Sequence, residues 1–192
     1  MRIIFLLTIL HKNGLSATVI LLSLMALGLS GCSASIHDAI AHESTDAVLD
    51  LLQAHPEYLK SVDGKGKSPL HTAVTYKKIE LLPILVEKGI PLDVRDVTGM
   101  TPLHVAAMLG RSEEAKALLE LGADPSLVDD YGDMPLHTAA VFGSGGIIQL
   151  LVRQGQAPDQ PNAEGQTGIE IAREYRHDRV IALFEKLAKS RK

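Results

Sequence analysis

The chain of 192 residues has a single cysteine, Cys32, and no tryptophan, and aromatic residues make up only 4% of it. One cysteine can form no intrachain disulfide and cannot supply the paired thiolates of a structural zinc site, so apolar burial has to hold the fold. With so few rings the core must be built from Leu, Ile, Val and Ala, which favours packed helices over a sheet sandwich. Cationic excess is also missing, since the net charge is −4. Arg2 and Lys12 are the only charged residues up to Gly31, so the remainder carries 17 basic against 23 acidic residues. Such a surface has no attraction for a phosphate backbone, and no nucleic-acid partner is expected. The 46% hydrophobic content suffices for one domain with a real core or a short repeat array, not for two independent globular domains.

The amino-terminal stretch "MRIIFLLTILHKNGLSATVILLSLMALGLSG" holds two apolar runs separated by "HKNG" and reads as a targeting segment. Its uninterrupted part, Leu15 to Leu29, would be about 22 Å long as a helix at roughly 1.5 Å per residue, against a bilayer core of about 30 Å. A permanent span would have to recruit the first run across His11 and Lys12. "LSGC", Leu29-Ser30-Gly31-Cys32, resembles the lipobox of bacterial lipoproteins, in which an aliphatic residue, two small residues and cysteine end a signal peptide. The resemblance implies that residues 1–31 are that peptide, that Cys32 is diacylglycerated, and that the new amino terminus is acylated, which holds a protein stably where one chain would not. Ser33, rather than Asp, after the cysteine implies by the sorting rule of enteric-type lipoproteins an outer-membrane location facing the periplasm. An uncleaved anchor, or a general signal peptide with Cys32 merely buried, remain as other readings. Residues 32–35 form a lipidated tether, and Ser33 to Ser35 reach about 10 Å at most, so the next segment would stand close to the headgroups.

Past residue 60 the chain repeats itself. "GKSPLHTAV" begins at Gly66, "GMTPLHVAA" at Gly99, "GDMPLHTAA" at Gly132 and "GQTGIEIAR" at Gly165, a period of 33 throughout. An acid or amide precedes each glycine by three residues, at Asp63, Asp96, Asp129 and Asn162, which suits a tight turn with positive φ at Gly. Pro69, Pro102 and Pro135 suit the first turn of a helix. Apolar residues then recur at helical spacing, as at Leu103, Ala106 and Ala107, then Ala115, Leu118 and Leu119, giving two antiparallel helices per unit. Gly89, Gly122 and Gly155 end the second helices.

This pattern closely resembles the ankyrin repeat, whose unit carries T-P-L-H-x-A, over most of residues 36–188. The resemblance implies an all-α repeat solenoid of helix-turn-helix units with β-turn or hairpin tips. Residues 36–62 are the amino-terminal capping unit, with Ile36-His37 standing where Leu70-His71 would, shifted by one. Residues 63–164 are three full repeats, 165–188 a polar closing cap, and 189–192 a basic tail. Gly168-Ile169-Glu170 replaces Pro-Leu-His in that cap, as suits a terminal unit with no neighbour to cover it. Three departures stand out. Lys77 occupies the place of Gly110 and Gly143. Pro83 falls in a second helix, where it costs about 3 kcal/mol unless it lies in the first turn. "GSGG", Gly143 to Gly146, predicts a helix that starts late or frays.

The pattern holds little chemistry. His71, His104 and His137 recur with the period, but equivalent atoms on the order of 10 Å apart cannot share an ion with bonds of about 2.1 Å. They read instead as structural histidines bonding to their own repeat's turn. "GSGG" follows no strand and lacks Gly-Lys-Ser/Thr, so it is no phosphate loop, and no serine sits in a Gly-x-Ser-x-Gly elbow. The expectation is no catalytic residue, no metal and no cofactor, hence no enzyme.

Members of the resembling family bind proteins through turn tips and the exposed side of first helices. Register transfers that role to Lys65, Lys67, Thr75 and Tyr76, to Val97, Thr98, Met100, Met108 and Leu109, to Asp130, Tyr131, Asp133, Val141 and Phe142, and to Glu164, Gln166, Glu174 and Tyr175. The contact set within it is Tyr76, Val97, Met100, Met108, Leu109, Tyr131, Asp133, Phe142, Glu174 and Tyr175, aromatic and Met side chains with Lys at one end and acids at the other. Tyr76, Leu109, Phe142 and Tyr175 share one repeat position, and can be read either as a binding stripe or as groove filling that completes the stack. The expectation is a monomer, lipid-anchored through Cys32, that binds another protein. A secreted toxin to be neutralised and a periplasmic enzyme to be held or protected are the partners suggested. A structural lipoprotein contacting other envelope components is the alternative.

Overall fold

The computed structural model describes residues 35–189. The expected signal peptide, Cys32 with the expected tether up to residue 34, and the tail from residue 190 lie outside the described residues. Those described contain ten α-helices, one short 3-10 helix (Pro56–Lys60) and no strand, an all-α repeat solenoid whose only bridge joins Pro161 and Thr167. No helix among them is long and apolar enough to cross a membrane. The described residues divide into two compact units, one ending at Tyr58 and the other beginning at Leu59.

In the first unit α1 (Ile36–His42) packs on α2 (Thr45–Ala54), burying Ile36, Ala39, Ile40, Ala47, Val48 and Leu52. Ser35, the end of the expected tether, is the N-cap of α1. Its hydroxyl accepts from the Asp38 amide at 3.1 Å and donates to the Asp38 carboxylate at 2.8 Å.

In the second unit four helix pairs follow: α3 (Pro69–Thr75) with α4 (Leu81–Glu87), α5 (Pro102–Leu109) with α6 (Ser112–Leu121), α7 (Pro135–Val141) with α8 (Gly145–Arg153), and α9 (Gly168–Glu174) with α10 (Asp178–Lys189). First helices pack on first helices and second on second, which makes two layers. The interface is periodic because the sequence is. Leu70, Leu103 and Leu136 form one fully buried column, Ala73, Ala106, Ala139 and Ala172 another, and Leu85, Leu118, Leu151 and Phe184 a third. Small alanines let the first helices approach closely while the leucines fill the space between layers. Glu114 interrupts the column of Leu81, Ile147 and Val180, but it lies in the first turn of α6, where unpaired N–H groups favour an acid.

Each tip is folded by its acid or amide. The Oδ1 of Asp63, Asp96, Asp129 and Asn162 accepts two backbone N–H groups of its own loop, such as Lys65 and Lys67 at 2.8 and 2.9 Å. Adjacent tips are joined by main-chain bonds, Val97 N–H to Lys65 C=O at 3.2 Å and Asp130 N–H to Thr98 C=O at 3.1 Å. At Gly99 φ is +74°, and a Cβ would lie 2.7 Å from the Asp130 nitrogen, so glycine is required twice over.

The histidines do more than hold their own turns. His104 Nδ1 accepts the Thr101 N–H at 3.2 Å, while its Nε2–H donates to the Asp133 carbonyl in the next repeat at 2.9 Å. His71 links Ser68 to Met100, and His137 links Met134 to Gln160, in the same way. A carbonyl can only accept, which fixes the neutral Nε2–H tautomer in all three. Glu170 occupies this position in the last unit. Its carboxylate accepts the Thr167 N–H and hydroxyl, both at 2.8 Å, and performs only the capping half of the task.

The departures resolve physically. Pro83 is the third residue of α4, inside the first turn, where no intrahelical N–H bond is lost. Contrary to expectation, α8 does not start late: it begins at Gly145, in register with Ser112 of α6. A Cβ on Gly146 would sit 3.0 Å from the Ser112 hydroxyl, so the glycines serve close approach between second helices. Gly168 replaces proline because the Phe184 ring of α10 reaches within 2.6 Å of where its Cβ would be. Lys77 and Arg176, at φ 59° and 58°, adopt the left-handed conformation of Gly110 and Gly143. A side chain there costs about 1–2 kcal/mol, offset in part by glycine's greater chain entropy. Lys77→Gly is therefore expected to stabilise the fold by about 0.5–1 kcal/mol and raise the thermal midpoint by roughly 2–4 °C, measurable by circular dichroism.

Candidate functional site

The ends of the first helices and the tips beside them leave apolar side chains in solvent. Tyr76, Leu109, Phe142 and Tyr175 each follow or end a first helix and are 48%, 37%, 53% and 53% exposed. None is a core residue. The position is held from behind by the next repeat: Arg111 Nη2 donates to the Thr75 carbonyl at 3.3 Å, and His177 Nε2–H donates to the Val141 carbonyl at 2.8 Å. Tyr175 stacks on the His177 ring at a centroid distance of 6.5 Å and an interplanar angle of 9°. A chain of contacts thus runs from the α7 backbone through His177 to Tyr175. On the tips Val97 and Tyr131 are more exposed still, at 67% and 73%.

Over the last three repeats these residues border a groove of about 430 Å³. It is lined by Met100, Met108, Val141, Phe142, Ile171 and Tyr175 on its apolar parts, and by Asp129, Tyr131, Asp133, Thr138, Asn162, Glu164, Gln166 and Glu174 on its polar ones. Of the contact set of ten, the groove gathers Met100, Met108, Tyr131, Asp133, Phe142, Glu174 and Tyr175, and with them Val141, Glu164 and Gln166 of the wider register set. Tyr76, Val97 and Leu109 lie outside it, Tyr76 and Leu109 in the same column but on earlier repeats. Asp129, Asn162, Thr138 and Ile171 were not singled out, because a turn acid and a helix residue carry no sign of how far the tip leaves them open. Internal bonds set the polar wall: Asn162 Nδ2 donates to Asp133 Oδ1 at 2.6 Å, and Gln166 Nε2 to Glu174 Oε2 at 3.2 Å.

The three repeat histidines cannot act as exchangeable bases here. Burial holds each pKa below the ordinary imidazole range, against the partial opposition of the carbonyl bond and nearby carboxylates, and both ring nitrogens are engaged. Asp96 is also held low: burial alone would raise it, but the Thr98 hydroxyl and the Thr98 and Met100 amides stabilise its charge. These shifts are the signature of structural bonds within tips.

Comparison with known proteins agrees with the repeat geometry. A family model described as ankyrin repeats in three copies matches residues 36–129, and a single ankyrin repeat model matches residues 131–166. A 53-residue stretch is 36% identical to part of the NAD-dependent deacetylase sir2B of Dictyostelium discoideum, covering 28% of this chain and 7% of that protein. The chain thus spans under a tenth of that relative's length. Family matches running from residue 36 to residue 166 coincide with the helix pairs and stapled tips described above, and the chain belongs to the ankyrin repeat family, whose repeats form protein–protein interaction modules and are generally non-enzymatic binding scaffolds.

Proposed function

We propose that this protein is a lipid-anchored binding protein of a bacterial envelope, acting by stoichiometric capture of a partner protein and without catalysis. The observation that carries the reading is the column Tyr76, Leu109, Phe142 and Tyr175, exposed on every repeat of the second unit and continuous with the groove. Apolar groups that do not complete the core, rimmed by polar ones, are the composition of a recognition surface. Support for the anchor is the "LSGC" motif behind an apolar stretch, and Ser33 supports an outer membrane location facing the periplasm. Neutralising a secreted toxin and holding or protecting a periplasmic enzyme are the two tasks that fit. A toxin gene or an oxidative-stress enzyme gene beside this one separates them.

Affinity capture with crosslinking from native envelopes tests the proposal. Leu109→Arg with Phe142→Arg is expected to abolish capture of a stoichiometric partner, with the thermal midpoint nearly unchanged because neither side chain is in the core. Cys32→Ser is expected to move the protein from the membrane to the soluble fraction. A large loss of stability in the double variant would instead assign the column to packing, and no specific partner for the wild type would favour a structural envelope role.

A further inference from the structure

The groove is acidic in an unbalanced way. Asp129, Asp133, Glu164 and Glu174 line it, and no lysine or arginine does. Where their bonds are defined, the donors are neutral amides: Asp129 holds the N–H groups of Tyr131 and Asp133, Asp133 the side chain of Asn162, and Glu174 that of Gln166. Nearby cations are used elsewhere among the described residues, Arg95 against Asp130 and Arg173 against Glu185. The lining therefore has four acidic side chains and no lysine or arginine to offset them, in a concavity where low-dielectric walls concentrate the field.

The same groove is walled by rings and thioethers. Phe142 and Tyr175 stand on adjacent repeats, Tyr175 is braced by its stack on His177, and Met100 and Met108 adapt to an irregular contact. Carboxylates beside aromatic faces suit a side chain with an apolar stem and a cationic head. Arginine fits best, because its planar fork pairs with carboxylates and its face packs on rings. A groove of about 430 Å³ has room for a short stretch of one chain, not a domain.

We propose that the groove takes an extended basic segment of the partner protein, in which arginine or lysine side chains pair with Asp133, Glu164 and Glu174 while their stems and neighbouring apolar residues pack on Phe142 and Tyr175. This rests on the reading of the same surface as a protein-binding face and adds the chemistry of the ligand. The column alone is neutral, and only the last repeats supply the charge.

The test uses the full chain and three fluorescein-labelled peptides, an alternating arginine–leucine sequence and its glutamine–leucine and glutamate–leucine counterparts, read by fluorescence anisotropy. The arginine peptide is expected to bind at least tenfold more tightly than the glutamine one, and more weakly as salt rises. The charge-neutral variant Asp133→Asn/Glu164→Gln/Glu174→Gln is expected to erase that preference while keeping its helix content and thermal midpoint. Asp129 is left in place because it holds its own tip. Equal binding of the three peptides, no binding of any, or a preference that survives in the variant would overturn the proposal. So would a wild-type dimer that the variant dissociates, since the occupant would then be a second copy. A partner captured from envelopes with equal affinity by wild type and variant would retain the protein-binding reading and discard the basic ligand. Peptide preference without an envelope partner would retain the ligand chemistry and count against the envelope role.

Discussion

His104→Ala is expected to lower stability by about 3–5 kcal/mol, the largest effect of any single side chain in the tips. Three losses combine. The buried Thr101 N–H loses its acceptor and the Asp133 carbonyl loses its donor. Each partner left unpaired inside the fold costs about 1–3 kcal/mol. A fully buried imidazole also leaves a void that the close-packed helices fill only in part. Because the Nε2 bond crosses to the next repeat, the damage falls on the coupling between neighbours that makes a solenoid cooperative. Urea denaturation should therefore show a broadened transition as well as an earlier one. Glu170→Gln, at the same position in the closing unit, is the control. Its carboxylate is exposed and serves only Thr167, so the midpoint should move far less.

Mild acid is expected to destabilise the stack for the same reason. His71, His104 and His137 are held neutral, chiefly by burial, with folded pKa values below the ordinary value of 6.5. Above that value both folded and unfolded chains carry neutral imidazole, and stability is at its full level. As pH falls below about 6.5 the unfolded chain takes up protons that the folded chain refuses, so stability drops by up to about 1.4 kcal/mol per pH unit for each histidine. Protonation in place would set Nδ1–H against the backbone N–H it now accepts. The carboxylates held low, such as Asp96, lose their contribution only at more acidic pH, below their ordinary value of 3.8. The window between pH 6.5 and 5 thus belongs to the histidines. Urea titrations should show lower stability at pH 5.5 than at pH 7.5, and His104→Gln should flatten the slope. A stability curve level across that range would contradict the tautomer assignment.

Most of the fold was legible because the period of 33 places like residues at like positions: Leu103 and Ala106 announce the same column as Leu136 and Ala139. The histidine's second bond was hidden, since its acceptor is a backbone carbonyl 29 residues away for His104 and a carbonyl has no sequence signature. Gly145 and Gly146 were misleading for a related reason. Low helix propensity is a local cost, and close packing against Ser112 overrides it. Register also identified most residues that border the groove, the acids Asp133, Glu164 and Glu174 included, but not Asp129 and Asn162. Asp129 and Asn162 read as turn formers, which they are, and only the folded tips show that they line a concavity together with Glu164 and Glu174. The lipobox reading concerns residues outside those described and rests on the sequence alone.

Capture of a protein by one face of the solenoid, the column with its groove, is the function proposed. A photoreactive phenylalanine analogue placed at Phe142, and separately at Leu121, which is also exposed but lies outside the groove, tests it most directly in living cells. One discrete adduct is expected from position 142 and none from 121; the reverse pattern, or adducts from both alike, would contradict capture by this face.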